Sequence, residues 1–292
     1  EIKKYCGKSL SFYNLNYREI SSDEYKRAII EIIKKVENDR QNVLSKTRKK
    51  IWTSGWSENL SEYKKTNSFL SLIPKYYINR PNKIFRLGAQ LVKSNQKYFE
   101  WRMLEIYRLW FYKKFFKDIQ NIYEFGVGSA SNLNHLFKIF PEKNLYGLDF
   151  VKPSVDLVNL IAKRSQNKKL KGILFDMLKP NMNIKINNDA AFFSIGAFEQ
   201  LGNKIDKILN FWIKKKPKIC LNIEPDKYFY NLDLPEDYLA LKFHTQRNYT
   251  STLYDKLKKL EKKRKIKILK KFRAPFGNYV FDAYNFFLWR VI

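Results

Sequence analysis

The sequence predicts an α/β fold built on a mostly parallel sheet, and three observations carry that expectation. From Ile119 onward, short apolar runs alternate with amphipathic segments. One of these runs, residues 122–125, ends at Glu124 and Phe125 and passes into Gly126, Val127 and Gly128, followed by the small residues Ser129, Ala130 and Ser131. The last two strand-like runs, Ile266–Phe272 and residues 283–291, are separated only by Pro275, Phe276, Gly277 and Asn278. Strand–helix alternation predicts a parallel sheet covered on both faces. Two strands joined without a crossover helix must pair antiparallel, here at one edge of the sheet.

The 292 residues suffice for a large buried core, and 45% hydrophobic with 16% aromatic content is that of a folded chain. Cys6 and Cys220 lie far apart, and His135 and His244 are the only histidines. No metal-ligand set or disulfide scaffold follows from so few, and the expected compartment is a reducing cytoplasm. No apolar stretch approaches the roughly 20 residues of a membrane-spanning helix. The net charge of +29 suits an anionic partner, yet the lysines are spread along the chain. Their densest cluster, residues 256–271, carries Leu257, Leu260, Ile266 and Ile268 and reads as a solvated helix face running into a strand.

Taken in order, the first part of the chain reads as mainly helical. Ser22 and Asp23 can cap a helix whose apolar positions Ile29, Ile30, Ile32, Ile33, Val36 and Val43 follow helical spacing. Trp52 and Trp56 flank Gly55 in what reads as a turn, and both are candidate pocket walls beside Glu58 and Asn59. Pro74, Pro81 and Gly88 break the chain into short pieces. An amphipathic helix over residues 95–117 follows, on which Glu100 and Tyr107 are candidates to face a ligand. Residues 1–117 are therefore expected to form a helical cap or lid, and residues 118–292 the sheet domain.

The strands of that second part are expected at 122–125, 145–149, 170–175, Ala190–Ile195 and Ile219–Ile223, with helices at 132–140, 154–163 and 205–214. In such a sheet ligands bind at the carboxyl ends of the strands, where strand order reverses. Those ends carry a coherent set. Glycines at 126 and 128 permit a tight turn and close ligand approach. Asp149 can accept both hydroxyls of a ribose. Asp176 can accept from an adenine amino group, with Met177 beside the ring. The fourth strand ends at Ile195 and Gly196, and the fifth at Glu224.

In these residues the chain resembles the class I S-adenosylmethionine-dependent methyltransferases, over roughly residues 119–292. That family has a Rossmann-like, seven-stranded, mostly parallel sheet with an antiparallel last strand, and its first motif is an acid followed by spaced glycines, matched by Glu124, Gly126 and Gly128. Ala130 stands where a third glycine is usual. The resemblance implies S-adenosylmethionine as cofactor. It places the turn, with Glu124 and Asn132, against the methionine part, Asp149 on the ribose, and Asp176 and Met177 at the adenine, with Ile195 and Gly196 completing the surroundings. A dinucleotide oxidoreductase also uses a glycine turn and an acid after the second strand, but Ser131 stands where its third glycine would be needed.

Methyl transfer requires donor and acceptor held about 3 Å apart, and an alcohol acceptor must also lose a proton. His244 and Glu224 are the candidate bases, and Arg247 and Tyr249 the candidate groups orienting the acceptor. Glu199 and Gln200 either contact the acceptor or finish the cofactor pocket. The fourth strand ends in Ser194, Ile195, Gly196 and Ala197, without the Asn/Asp-Pro-Pro-aromatic motif of enzymes that methylate base amines. Cys220 lies early in a strand, away from the reactive end. The expected acceptor is accordingly a small or medium-sized molecule (a sugar, a polysaccharide precursor or a secondary metabolite). Nucleic acid is disfavoured, and the alternative is an RNA- or peptide-directed methyltransferase or a basic macromolecule-binding protein.

Overall fold

A computed structural model describes residues 2–78, 83–88 and 90–292; Pro81 lies outside the described residues. In chain order the elements are α1 (Ile2–Phe12), β1 (Arg18–Glu19), α2 (Ser22–Asn38), α3 (Arg48–Thr66), α4 (Lys75–Ile78), β2 (Ile84–Leu87), β3 (Gln90–Lys93) and α5 (Phe99–Phe115). Then come β4 (Asn121–Phe125), α6 (Ser131–Ile139), β5 (Asn144–Asp149), α7 (Lys152–Arg164), β6 (Leu170–Leu174), β7 (Ala190–Ile195), α8 (Asp206–Lys215) and β8 (Ile219–Ile223). The chain closes with α9 (Pro235–Arg247), α10 (Leu253–Lys262), β9 (Ile266–Phe272), β10 (Phe276–Asn278) and β11 (Phe286–Val291). No helix among the described residues is long and apolar enough to cross a membrane.

The seven-stranded sheet has the order β6-β5-β4-β7-β8-β11-β9. β4, β5, β6, β7 and β8 pair in parallel, whereas β11 runs antiparallel to both β8 and β9. Strand residues alternate between two cores. Ile122, Leu145, Phe193 and Leu221 face α5, α6 and α7 through Phe111, Leu133 and Val158. Tyr123, Phe125, Leu148, Phe192 and Trp289 face α8 and α10 through Phe211, Trp212 and Leu257. A sheet buried on both faces explains why β4 is wholly buried and β7 is buried up to Ile195, with no polar side left for water. From β4 the chain builds toward β6, then returns to β7 on the other side of β4. The order therefore reverses between β4 and β7, and the crevice opens there.

Three local expectations are corrected. The helix cap falls at Ser21, whose hydroxyl accepts from the Glu24 amide while the Glu24 side chain accepts from the Ser21 amide. Trp52, Gly55 and Trp56 do not form a turn but lie inside α3, where Gly55 has open space around it. A lone glycine costs a helix only about 1 kcal/mol, which a 19-residue helix tolerates. The two tryptophans sit one helical turn apart and stack, 5.4 Å between ring centroids. The segment around Phe276 is not simply a turn between the last two strands. It forms β10, which pairs with β2 in a second sheet of order β1-β3-β2-β10. Gly277 permits this crossing, since a Cβ there would lie 2.4 Å from the Phe281 carbonyl oxygen.

A buried ion network ties this small sheet to the rest. Arg86 on β2 lies 3.0 Å from Asp237 on α9 and 3.6 Å from Asp282, and Arg273 contacts the same two carboxylates at 2.7 and 2.6 Å. Removing one partner of such a network leaves buried charge uncompensated. Arg86→Met is therefore expected to lower unfolding free energy by about 3 kcal/mol, read from urea unfolding midpoints; a loss within about 0.5 kcal/mol, the scale of an inconsequential surface change, would show that Arg273 alone satisfies both acids.

Candidate active site

The glycine turn leaves β4 through two residues of positive φ, Gly126 at 80° and Gly128 at 52°. Both are also sterically required. A Cβ on Gly126 would sit 2.4 Å from the Ala197 side chain, and one on Gly128 would sit 2.9 Å from the Trp56 ring. Asp149, at the end of β5, accepts from the Gly128 amide at 2.9 Å and the Val151 amide at 3.2 Å, so this acid fixes the turn as well as facing the crevice. Burial raises its pKa against the pull of those amides.

Gly126, Gly128, Asp149, Asp176, Met177, Gly196, Gln200 and Trp56 all line one narrow cleft over the ends of β4, β5 and β7. Trp52 and Phe175 line it as well, and two residues of its wall escaped sequence reasoning, Arg48 and Phe150. The Arg48 guanidinium lies 4.2 Å from the Phe150 ring centroid and donates through Nε to the Gln200 carbonyl. Its position depends on α3, whose register no local motif announced.

A second cavity of about 570 Å³ adjoins the first and shares Arg48, Trp52, Gly196 and Gln200 with it. Ile195, Glu199, Arg247 and Tyr249 line it, together with Glu100 and the rings of Tyr76, Tyr77, Tyr279, Phe281 and Tyr284. Tyr107, in contrast, is packed in the core. Two of the lining cations share one buried acid: Arg247 lies 2.6 Å and Lys35 3.3 Å from Asp39. Arg247 also donates to the Tyr249 hydroxyl at 2.8 Å. Tyr284 donates to Glu100 at 2.7 Å. Glu199 is pushed up to about 8 by burial and by the nearby Glu224 carboxylate.

The two candidate bases are not brought to either cavity. His244 is wholly buried, packed edge-on against Phe281 at 4.7 Å, and its ring nitrogens make no hydrogen bond among the described residues. Burial, with the Arg86 and Arg247 charges, lowers its pKa to about 3, so it has little affinity for a proton. Glu224 accepts from the Ser194 hydroxyl and from the amides of Ala197, Phe198 and Glu199. It is a buried anchor for the loop after β7, and burial raises it to about 7 against those donors. Glu124 and Asn132 line neither cavity; they lie beneath the turn, bonded to each other at 2.7 Å.

A sheet that reverses at its first strand, carries a glycine turn there and ends in an inserted antiparallel strand decides the architecture. The fold is that of the class I methyltransferases. No protein-family model matches the sequence, and no curated protein does. Among solved structures, this methyltransferase fold is similar to an O-methyltransferase from neocarzinostatin biosynthesis, at 8% identity and TM-score 0.45 over 66% of this chain and 58% of that one. The chain thus spans less than two thirds of that protein's length. It is also similar to a riboflavin-derivative N,N-dimethyltransferase from Streptomyces davawensis, at 11% identity and TM-score 0.46 over 82% and 70% of the two chains. A third is the magnesium protoporphyrin IX methyltransferase of Synechocystis, at 8% identity and TM-score 0.48 over 66% and 84%.

Three buried carboxyls with raised pKa set a pH dependence. Glu124 and Glu199 are pushed to about 8 and Glu224 to about 7, above the ordinary 4.5 of the unfolded chain. Between these values the folded state binds more protons than the unfolded one, so its stability falls as pH rises. The melting temperature should decline from pH 5 to pH 8 and flatten beyond it, as read by scanning fluorimetry. A rise over that range would contradict the burial of these groups as neutral acids.

Proposed function

We propose that the protein binds S-adenosylmethionine and transfers its methyl group to a hydroxyl or amine of a small or medium-sized acceptor. The observation that carries this reading is the pair of adjoining cavities at the reversal of the sheet, with the glycine turn and Asp149 in one and a tyrosine-lined chamber in the other. The donor-side residues fit the group. Asp149 has lone pairs beyond its two amide bonds for ribose hydroxyls. Asp176, Met177, Phe150 and Phe175 form an edge with one acid and apolar faces for an adenine. Beneath the turn, Glu124 keeps a buried oxygen with no hydrogen-bond partner, a seat for a cationic donor. When bound, S-adenosylmethionine supplies an electrophilic methyl on a positively charged sulfur.

The residues of this chain would do the rest. Arg48 and Trp52, lining both chambers, would flank the place where donor and acceptor meet and keep water from it. Glu199, on the acceptor side, takes the place that the sequence had suggested for His244 or Glu224: its ionised form, a minor fraction at neutral pH that grows as pH rises toward about 8, can accept the acceptor's proton. Glu224 orients it through its backbone amide. Arg247 and Tyr249, locked to Asp39, offer a fixed hydroxyl to the acceptor. A concave chamber walled by aromatic rings supports a small acceptor over a polymer. We also read residues 1–117 as the part that caps the chamber and 118–292 as the donor-binding part. The chamber wall supports this division, since it draws Lys35, Asn42, Ile51, Tyr76 and Tyr77 from the first segment.

Calorimetry with S-adenosylmethionine and S-adenosylhomocysteine should give dissociation constants in the micromolar range, and Asp149→Ala should weaken both tenfold or more. No heat at hundreds of micromolar, with protein shown to be folded, would defeat the reading. With labelled donor and a panel of hydroxylated and amino acceptors, Glu199→Gln should reduce turnover at least a hundredfold while donor affinity stays within twofold. His244→Phe should leave turnover within a few fold; a collapse of turnover there, in folded protein, would return the base to His244.

A further inference from the structure

The charged groups of the larger chamber are answered within the protein, with one exception. Lys35 and Arg247 share Asp39, at 3.3 and 2.6 Å. Glu199 accepts from the Gln200 side chain at 2.8 Å, and Glu100 from Tyr284 at 2.7 Å. Arg48, which lines this chamber and the glycine-turn cleft alike, pairs with no carboxylate among the described residues. Two contacts hold its guanidinium in place. Nε donates to the Gln200 carbonyl at 3.2 Å, and the group lies 4.2 Å from the Phe150 ring centroid. Nη1 and Nη2 make no hydrogen bond among the described residues, so the two-pronged end of the side chain is left for the space it borders. Burial lowers the Arg48 pKa against the more distant pull of Asp176 and Asp149. A half-buried cation fixed in this way is costly until an anion meets it.

Resting on the methyltransferase reading given above, we propose that the acceptor is a planar hydroxy acid, its carboxylate gripped by Nη1 and Nη2 of Arg48 and its hydroxyl turned to Glu199. Two parallel N–H groups on a guanidinium match the two oxygens of a carboxylate. Because the group is already held by Gln200 and Phe150, little freedom is lost when it binds. A phosphate would call on further cations, and the nearest candidates, Lys35 and Arg247, are tied to Asp39. Trp52, Tyr76 and Phe281 in the same wall suit a flat apolar body. Arg48 is anchored on Gln200, the residue after Glu199, so the grip and the base stand on one loop, as the two groups of a small hydroxy acid stand on one ring. Neutralised there, the acceptor's charge does not push Glu199 further from ionising, as a bare carboxylate in the chamber would. The carboxylate is a handle and is unchanged. The hydroxyl oxygen gains the methyl as the sulfur–carbon bond of the donor breaks, and its proton passes to ionised Glu199.

The test uses 2-hydroxybenzoate and 3,4-dihydroxybenzoate, each beside its carboxamide, which keeps the ring and hydroxyls but loses the charge. Calorimetry is run on protein saturated with S-adenosylhomocysteine. In the unaltered protein at least one acid should bind about tenfold tighter than its amide, the scale of one charge-assisted pair. Arg48→Met should abolish that preference by weakening the acid alone, whereas a merely structural side chain would weaken acid and amide together. Arg48→Lys, which keeps the charge without the fork, should retain part of the preference, and carries the comparison if the Met variant does not fold. Equal affinity for acid and amide, no binding of either acid, or an unchanged preference in a folded variant would overturn the assignment. An unchanged preference joined to a loss of S-adenosylhomocysteine affinity would give the fork to the donor instead. If S-adenosylhomocysteine itself does not bind the folded, unaltered protein, the methyltransferase reading fails and this assignment with it, and that control tells the two failures apart.

Discussion

Much of the site depends on one carboxylate that touches neither cavity. Glu224 sits at the end of β8 and gathers the Ser194 hydroxyl and three consecutive backbone amides of the loop after β7. Those amides belong to residues 197–199, so the bonds set where Ala197 abuts Gly126, where Glu199 meets the larger chamber, and where Gln200 receives the Arg48 side chain. A carboxyl buried this thoroughly, raised to about 7 by its burial, is tolerated only because donors crowd around it. The donors in turn are fixed because the carboxyl has nowhere else to bond. The loop is held as firmly as a strand end, although it has no ladder of its own.

The parallel half of the fold was legible because its signals are local. Strands β7, β8 and β9 fall where the apolar runs lie, and α6, α7 and α8 begin within two residues of expectation. Buried parallel strands read as continuous apolar runs, and the glycine turn has a physical reason for each glycine. The cleft was legible for the same cause: in such a sheet the strand ends converge, so marking those ends marks where it opens. Asp149, Asp176 and Gly196 converge because the sheet's topology leaves them no alternative.

What escaped reading depends on contacts distant in sequence. Nothing local says that residues 276–278 pair with β2, or that α3 reaches the cleft. His244 and Glu224 were attractive because a histidine and a strand-end glutamate are chemically apt, but aptness says nothing about exposure. His244 points into a ring cluster with Tyr230, Tyr249 and Phe281, and Glu224 spends its oxygens on backbone. Arg48 lay unnoticed among the basic residues that adjoin it in the chain. Its idle donors are visible only when the neighbours are counted in three dimensions.

Arg48 and Trp52 belong to the walls of both chambers, one side chain serving as a partition between two rooms. A partition cannot shift for one occupant without changing the room next door. An occupant of one chamber that moved the α3 wall would change the affinity of the other chamber for its occupant, by the same factor in either direction.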